Sequence, residues 1–388
     1  MVEYVKLGDI INYRKGFAFK SSSYTDNGTM VVRVSDFSKD SVSTNDAVFI
    51  EYKDKYRTYK LHTGDILIQT VGSWANNPNS IVGKVVRVPS ACDNSVLNQN
   101  IVKIYPRDEK MNNTYLFYSL IANKFSLYCV QRGQGAANQA SITLETIFKF
   151  KFRIHGNEIQ NKIASILSTY DTLIENNTKR IRLLEKMAEN LYKEWFVRFR
   201  FPGHENVKMV NGLPNGWKKG ALSDVCEFKR GKNITSSEMK DGAIPVISAG
   251  ITPSGFHSHA NVYGISITMS SSGANAGYIA VHYSDIWAAD CSYIEEASTP
   301  YIYYVYELLN NIRSIINNFQ RGAAQPHVYP RDINRIKMII PSEDIRKKAN
   351  EKIGVIHCQI NNLQRQNSLL ARQRDLLLPR LMSGKLEV

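Results

Sequence analysis

Cysteine is scarce and scattered: five residues, Cys92, Cys129, Cys226, Cys291 and Cys358, with no CxxC pair among them. Zinc-ligand spacing is therefore absent, and an odd, dispersed set argues against a disulfide framework. They read as small buried thiols. No apolar run approaches the roughly 18 residues of a membrane span. Met1-Val2-Glu3-Tyr4-Val5-Lys6 opens no signal peptide, so the expected location is the cytoplasm. Acidic residues are also in deficit, 35 against 49 Lys and Arg, which leaves a net charge of +14.

Catalytic signatures are missing as well. The chain has no GxxxxGK[ST] loop, so ATP hydrolysis is not expected of it. No FxGxG-type cofactor loop precedes a methyltransferase-like motif. Asn76-Asn77-Pro78-Asn79 lacks the second proline and the aromatic that an adenine methylase stacks on a flipped base, and reads as a turn. Glu51-Tyr52-Lys53 is an ExK triplet without an upstream Pro-Asp partner, and reads as a surface strand or loop. The histidines, from His62 to His357, show no HxxxH spacing. The chain is not expected to perform chemistry itself.

What is present is an ordinary folded composition, 43% hydrophobic and 22% charged, over 388 residues. That excludes wholesale disorder and suits two or three domains. A pI near 9.4 points to a polyanionic partner, most simply nucleic acid. The excess is spread over the chain: +7 in residues 1–155, +1 in 156–198, +2 in 199–341 and +4 in 342–388. Such a distribution suits folded surfaces laid along a backbone rather than a basic disordered arm.

The most informative feature is an internal repeat. Leu7-Gly8-Asp9-Ile10 matches Leu222-Ser223-Asp224-Val225, and Arg14-Lys15-Gly16 matches Lys229-Arg230-Gly231, both at an offset of 215. Ile147 through Ile159 then matches Ile333 through Ile345 at 186, so the second copy is 29 residues shorter, all within its globular part. At offset 186 the match continues ungapped through a helical stretch, with identities such as Ile154/Ile340, Ile174/Ile360, Leu183/Leu369, Leu184/Leu370 and Leu191/Leu377.

Each stretch carries a seam of alternating 3 and 4 spacing. In the first it is Leu167, Tyr170, Ile174, Asn177, Ile181, Leu184, Ala188, Leu191 and Trp195. In the second it is Ile353, Ile356, Ile360, Leu363, Asn367, Leu370, Arg374, Leu377 and Leu381. This repeat asks for a packed partner helix, and Asn177 and Asn367 are the seam residues suited to fixing register, or else mark a solvated break. At about 1.5 Å per residue, some 40 residues make a rod of roughly 60 Å. Asn157 with Gln160 predicts a capping box, Ser342 with Glu343 and Asp344 an N-cap and acidic first turn. Phe201-Pro202-Gly203 ends the first rod, and Pro379 predicts an end or kink near Leu378.

Residues 28–105 and 220–295 hold short Val-, Ile-, Thr- and Tyr-rich runs punctuated by Gly, Asn and Ser, the pattern of a twisted mixed or antiparallel sheet. Short helices are expected at 114–128 and 301–317. The limits are then a first globule at 1–155, a first long helix at 156–200, a linker and second globule at 201–341, and a second long helix with a C-terminal tail at 342–388. The fold class is α/β in the α+β sense.

The order of these pieces carries a resemblance. The two-copy layout, Leu7-Gly8-Asp9-Ile10, Gly216-Trp217 leading to Leu222-Ser223-Asp224-Val225, and the stretches Gly135-Ala136-Ala137-Asn138-Gln139 and Gly322-Ala323-Ala324-Gln325-Pro326-His327 before the rods all contribute. So does the tail Leu376-Leu377-Leu378-Pro379-Arg380-Leu381-Met382-Ser383-Gly384-Lys385-Leu386. Over essentially its full length the chain resembles the specificity (S) subunit of type I restriction–modification systems. The resemblance implies two target recognition domains with mixed sheets, each reading one half of a bipartite, asymmetric sequence in double-stranded DNA. It implies long helices packed as an antiparallel coiled coil that places the globules at opposite ends in a pseudo-two-fold arrangement. Two methyltransferase (modification) subunits would dock on the rods, with S-adenosylmethionine bound there. Restriction subunits with ATP and Mg would join them, and no cofactor or metal would sit on this chain. Two fused, diverged copies read two different half-sites, where a symmetric dimer would repeat one. Rods of fixed length would then measure the unread spacer, so a whole-heptad insertion would lengthen it.

Base reading needs Arg, Lys, Asn, Gln, Ser or Thr on loops rigid enough for directed hydrogen bonds. In the first globule the candidates are Arg33, Ser35, Ser73, Asn76, Asn77, Asn98, Gln99, Arg132, Gln134, Asn138 and Gln139. In the second they are Ser248, Ser271, Ser272, Asn275, Gln320, Arg321, Gln325, His327 and Tyr329. Arg132 and Arg321 stand at equivalent places in the two copies. Trp195 and Phe196 read as helix-packing or core residues. The competing reading is a coiled-coil adaptor with repeated ligand-binding domains and no DNA sequence specificity, which dependence of binding on duplex sequence would separate.

Overall fold

The computed structural model describes residues 3–74, 80–122, 124–135, 139–320 and 326–388. The chain divides into two compact units, Met1–Asn176 with Asn367–Val388, and Asn177–Gln366. The division falls within the long helices rather than at their ends.

In the first unit a four-stranded antiparallel sheet runs Ile11–Lys15, Ile101–Pro106, Ile66–Gln69, Val85–Arg87. Its central strand Ile66–Gln69 is buried throughout because both faces are covered. Ile66 and Ile68 enter one core with the helices, and Leu67 enters another with Val32, Val86 and Leu97, as alternation along a strand requires. A second sheet, Tyr24–Thr25, Val48–Ile50, Thr29–Val32, Val96–Leu97, closes with a parallel pair. Glu3–Lys6 pairs with Lys151–Ile154, the strand that leads into the first rod.

The second unit repeats the plan. Its antiparallel sheet runs Lys229–Arg230, Cys291–Glu295, Ser266–Ser270, Ile279–His282. A three-stranded sheet likewise closes with a parallel pair, Ile244–Ile247 beside Trp287–Ala288, and Lys218–Ala221 pairs with Lys337–Ile340. Both sheets are thus mixed or antiparallel, as the residue pattern predicts. Register refines the repeat: Gln69 faces Ile101 as Ser270 faces Cys291, giving offsets of 201 and 190 at these strands. The shortening from 215 to 186 is therefore distributed over several loops.

The long helices span Asn157–Tyr192, continued by a wider π turn at Lys193–Val197, and Glu343–Met382. Every seam position is buried or half-buried. In the first unit Ile163 and Leu167 share a core with Leu378, Leu381 and Met382. In the second Ala188, Tyr192 and Trp195 share one with Ile345, Ala349 and Ile353. In each unit the start of one helix thus lies beside the end of the other, which is antiparallel packing. Asn177 is 6% exposed and donates to Gln366 Oε1 on the facing helix at 3.5 Å. Trp195 and Phe196 are core residues, packed in an aromatic cluster with Trp217 and Tyr304.

Three local expectations are corrected. The short helices are broken, into Asn113–Ala122 and Phe125–Arg132, and into Ile302–Asn311 and Arg313–Asn317. Lys124, at φ +54°, and Ile312, at φ −96° and ψ 14°, leave helical geometry at the breaks. Gln160 forms no box with Asn157; it accepts from Asn112 N and donates to Lys110 O and His155 O, tying the first turn to the globule. The second helix does not end at Pro379 but runs through it to Met382, and Ser383 N continues the ladder onto Pro379 O. Among the cysteines, four are buried and Cys358 is exposed. Burial pushes the thiols of Cys129, Cys226 and Cys291 up to about 12.

Candidate nucleic-acid interface

In each unit the central strand of the antiparallel sheet runs out into a loop that the segment before the long helix returns to meet. In the first unit Val71–Gly72 pairs with Ala140–Ser141. In the second Ser272 bridges His327, with Val328 N donating to Ser271 O. Topology therefore gathers residues about 70 positions apart in the first unit and about 55 apart in the second around one strand end.

In the first unit the strand end opens on a cleft of about 560 Å³ lined by Val34, Gln69, Val71, Gly72, Ser73, Ser80, Asn100 and Gln139. Ser73 Oγ is 2.9 Å from Ser80 Oγ. Gln134 is exposed and its backbone pairs with Ser141 in both directions. Arg132 is exposed, its guanidinium carbon 4.2 Å from the Tyr128 ring centroid and Nη1 donating to Gln131 Oε1 at 3.5 Å. Arg33 is committed elsewhere: its guanidinium donates to both Asp36 oxygens and, at 2.6 Å, to Asp46 O. That bond to Asp36 holds its pKa above the ordinary value despite burial. Ser35 beside it is exposed. Asn98 accepts from the Gln99 backbone at 2.7 Å, leaving Gln99 exposed.

In the second unit the gathered residues are Ser272, Asn275, Gln320, His327 and Tyr329. Ser272 Oγ donates to Asp290, which also receives Arg230 at 2.6 Å. Gln320 donates to Ala276 O at 2.8 Å. The rings of His327 and Tyr329 stack at 6.1 Å, and Tyr329 is 47% exposed. Ser248 pairs with Ser254 at the neighbouring loop. Ser271, 1% exposed, is inside the sheet against Ser292, where no base edge reaches it. Asn76, Asn77, Asn138, Arg321 and Gln325 lie outside the described residues.

Sequence reasoning passed over Gln69. It is fully buried, its amide donates to Val71 O at 2.9 Å and Ser80 O at 2.8 Å, and its Oε1 has no hydrogen-bond partner. The signal was present: one amide closing the apolar run Ile66-Leu67-Ile68. A Cβ on Gly72 would lie 2.3 Å from the Gln69 amide nitrogen and from Ser80 O, so only glycine fits against this clasp. The cleft presents hydroxyl and amide donors and acceptors in a fixed frame, the chemistry that reads base edges. Among the described residues no group of His, Cys, Asp or Glu is placed to hold a metal ion.

The family model for the type I restriction modification DNA specificity domain matches residues 1–186 and 214–369. Among curated proteins, the type I restriction enzyme MjaIX specificity subunit of Methanocaldococcus jannaschii is 27% identical over 320 residues, 75% of this chain and 73% of that one. The putative MjaX specificity subunit of the same organism is 22% identical over 382 residues, 93% of this chain and 88% of that one. The crystal structure of a type I restriction–modification S subunit from M. genitalium matches 98% of this chain and 96% of that one at TM-score 0.60 and 18% identity, which shows the shared fold. With two matched segments, each falling on one copy of the repeat, the chain belongs to the family of type I restriction–modification DNA specificity subunits, which recognise DNA targets and are themselves non-catalytic.

Proposed function

We propose that each unit reads one half of a bipartite, asymmetric DNA target through the loops at its central strand end. The observation that carries this reading is one sheet topology built twice with different polar groups at the same register position, Gln69 in one and Ser270 in the other. A shared frame fixes where a duplex is met, and the side chains set on it decide which bases are accepted. In the first unit Ser73, Gln139, Arg132 and Gln134 are the readers, with Ser35 and Gln99 beside them. In the second they are Ser272, Asn275, His327 and Tyr329, with Ser248 and Gln320 at the margin. Arg33 and Asn98 hold loops in place.

The helices set the unread spacer and dock two methyltransferase subunits. Leu183 and Leu369, equivalent in the two copies, are 66% and 59% exposed, and Met187 and Leu376 continue their faces at 56% and 58%. Apolar side chains of that size left outside a packed seam suit a protein partner. S-adenosylmethionine, and ATP with Mg where restriction subunits join, belong to those partners, in the cytoplasm where the DNA lies. No described helix is long and apolar enough to cross a membrane.

The test is a genome-wide map of N6-methyladenine in the native host with and without the gene. Loss of methylation at one bipartite motif supports the reading and gives both half-sites and the spacer. An unchanged map, with the gene expressed alongside its methyltransferase, overturns it.

A further inference from the structure

The two long helices match at offset 186, which puts Asp171 and His357 at the same position of their rods. The short helices Asn113–Ala122 and Ile302–Asn311 are both ten residues long and start 189 apart. Their buried positions coincide at Tyr115/Tyr304, Leu116/Val305, Tyr118/Glu307, Ser119/Leu308 and Leu120/Leu309. Tyr118 and Glu307 are therefore equivalent residues of the two globules, and each meets the rod residue of its own copy.

The polarity of that meeting is opposite in the two units. In the first, the globule donates and the rod accepts: Tyr118 Oη lies 2.5 Å from Asp171, with Arg87 of the globule at 3.1 Å. Arg374 of the facing helix bonds the other Asp171 oxygen and also Asp40, with Asp375 and Lys39 completing the charged set. In the second, the rod donates and the globule accepts: His357 Nε2 is 3.2 Å from Glu307, while Tyr283 Oη meets Nδ1 at 2.7 Å. The Nε2–H tautomer satisfies both contacts, Nδ1 accepting from the Tyr283 hydroxyl while Nε2 donates to Glu307. Tyr303 stacks on the imidazole, Tyr306 meets its edge, and His357 and Glu307 are 2% and 5% exposed.

We propose that this one position keys each recognition globule to its own rod. A second globule set on the first rod brings the Glu307 carboxylate against Asp171 in place of the Tyr118 hydroxyl and Arg87, so two acceptors must share Arg374 alone. A first globule set on the second rod brings Tyr118 and Arg87 against the imidazole of His357 in place of the Asp171 carboxylate they bond in their own unit. Buried donors and charges left without a complement cost far more than the pairs contribute. The globules are therefore not interchangeable at their sequence limits near 155 and 341. An exchange that preserves the fold must carry the rod through Asp171 or His357.

The test transplants the first key into the second lock in the full-length chain. His357→Asp places a carboxylate against Glu307 and should lower the melting temperature by roughly 5–15 °C. Adding Glu307→Tyr recreates the Tyr-to-Asp pair and should recover at least half of that loss. His357→Asp with Glu307→Gln should recover a similar share, because the amide can donate to the new carboxylate, which separates hydrogen-bond polarity from tyrosine bulk. If His357→Asp does not accumulate as soluble protein, recovery of soluble yield by either second change is the readout. A His357→Asp chain melting within about 2 °C of the parent, or double variants that lose as much as the sum of their single changes, would overturn the proposal.

Discussion

Arg374 offers the sharpest test of how the first unit is held together. It sits on the seam of the second helix with a side chain 9% exposed, Nη1 2.5 Å from Asp171, and Nη2 bonded to Asp40 and 2.8 Å from Asp375. Burial presses its pKa down, but Asp40 and Asp171 more than offset this and hold it raised. Arg374→Ala removes the cation that both nearly buried carboxylates share, and breaking such a set costs about 3–5 kcal/mol. For a folded unit near 200 residues, about 2–4 °C per kcal/mol gives a melting loss of roughly 6–20 °C. Arg374→Ala with Asp171→Ala should lose clearly less than the two changes summed, since the second removes a charge the first strands. The pH dependence has a definite sign. Burial raises the Asp375 pKa, but Lys39 and Arg374 outweigh it and leave the carboxyl below its usual range. Its contribution is present above the unfolded value near 3.9 and is lost as pH falls through the folded one. The gap between parent and variant should therefore narrow below about pH 4. Scanning calorimetry from about pH 2.5 to 8 is the assay. A loss under about 2 °C at pH 7, or strict additivity in the double variant, refutes the reasoning.

His282 is half-buried with Nε2 2.8 Å from Thr268 Oγ1, and desolvation lowers its pKa to about 4. The unfolded chain therefore takes up a proton first, stability falls from about pH 6.5 toward 4 by roughly 2–3 kcal/mol, and His282→Gln should flatten that slope in urea titrations. Asn177→Leu replaces a buried amide whose bond to Gln366 is long at 3.5 Å. It should raise the melting temperature by about 2–4 °C and, by light scattering, loosen the choice of helix partner; a lower melting temperature counts against a register role. Gln139→Ala should cost about 1–3 kcal/mol on the cognate duplex and blur one base position while leaving non-specific affinity unchanged; equal losses on both duplexes would count against base reading. One heptad added to each long helix lengthens it by about 10 Å, so the methylated motif should gain about three spacer base pairs with both half-sites intact; an unchanged spacer rejects the helices as a ruler.

Much of this was legible in the residues. The seams predicted the helix faces position by position, down to Asn177 and Arg374, because a 3.5-residue repeat allows only one packed side. The strand-rich segments and their duplication were equally plain. The loops were less so. Arg33 looked like a reader until its carboxylate partner three residues on, and the carbonyl of Asp46, were seen to absorb its donors. Ser271 looked exposed in a Ser-Ser-Ser-Gly run, yet pairing of the segment before the rod buries it. Gln69 was hidden because its role rests on carbonyls two and eleven residues away.

By itself the sequence determined the two-copy plan, the long helices with their inward faces, the sheet-rich globules and the family, since periodicity and order are local properties that need no coordinates. Tertiary structure alone decided which polar residues converge at the strand ends, which are spent on capping and clasping, and that Asp171 and His357 meet their globules with opposite polarity. Those facts depend on pairings between residues tens to hundreds of positions apart, and whether a donor is free or already satisfied is set by what folds against it.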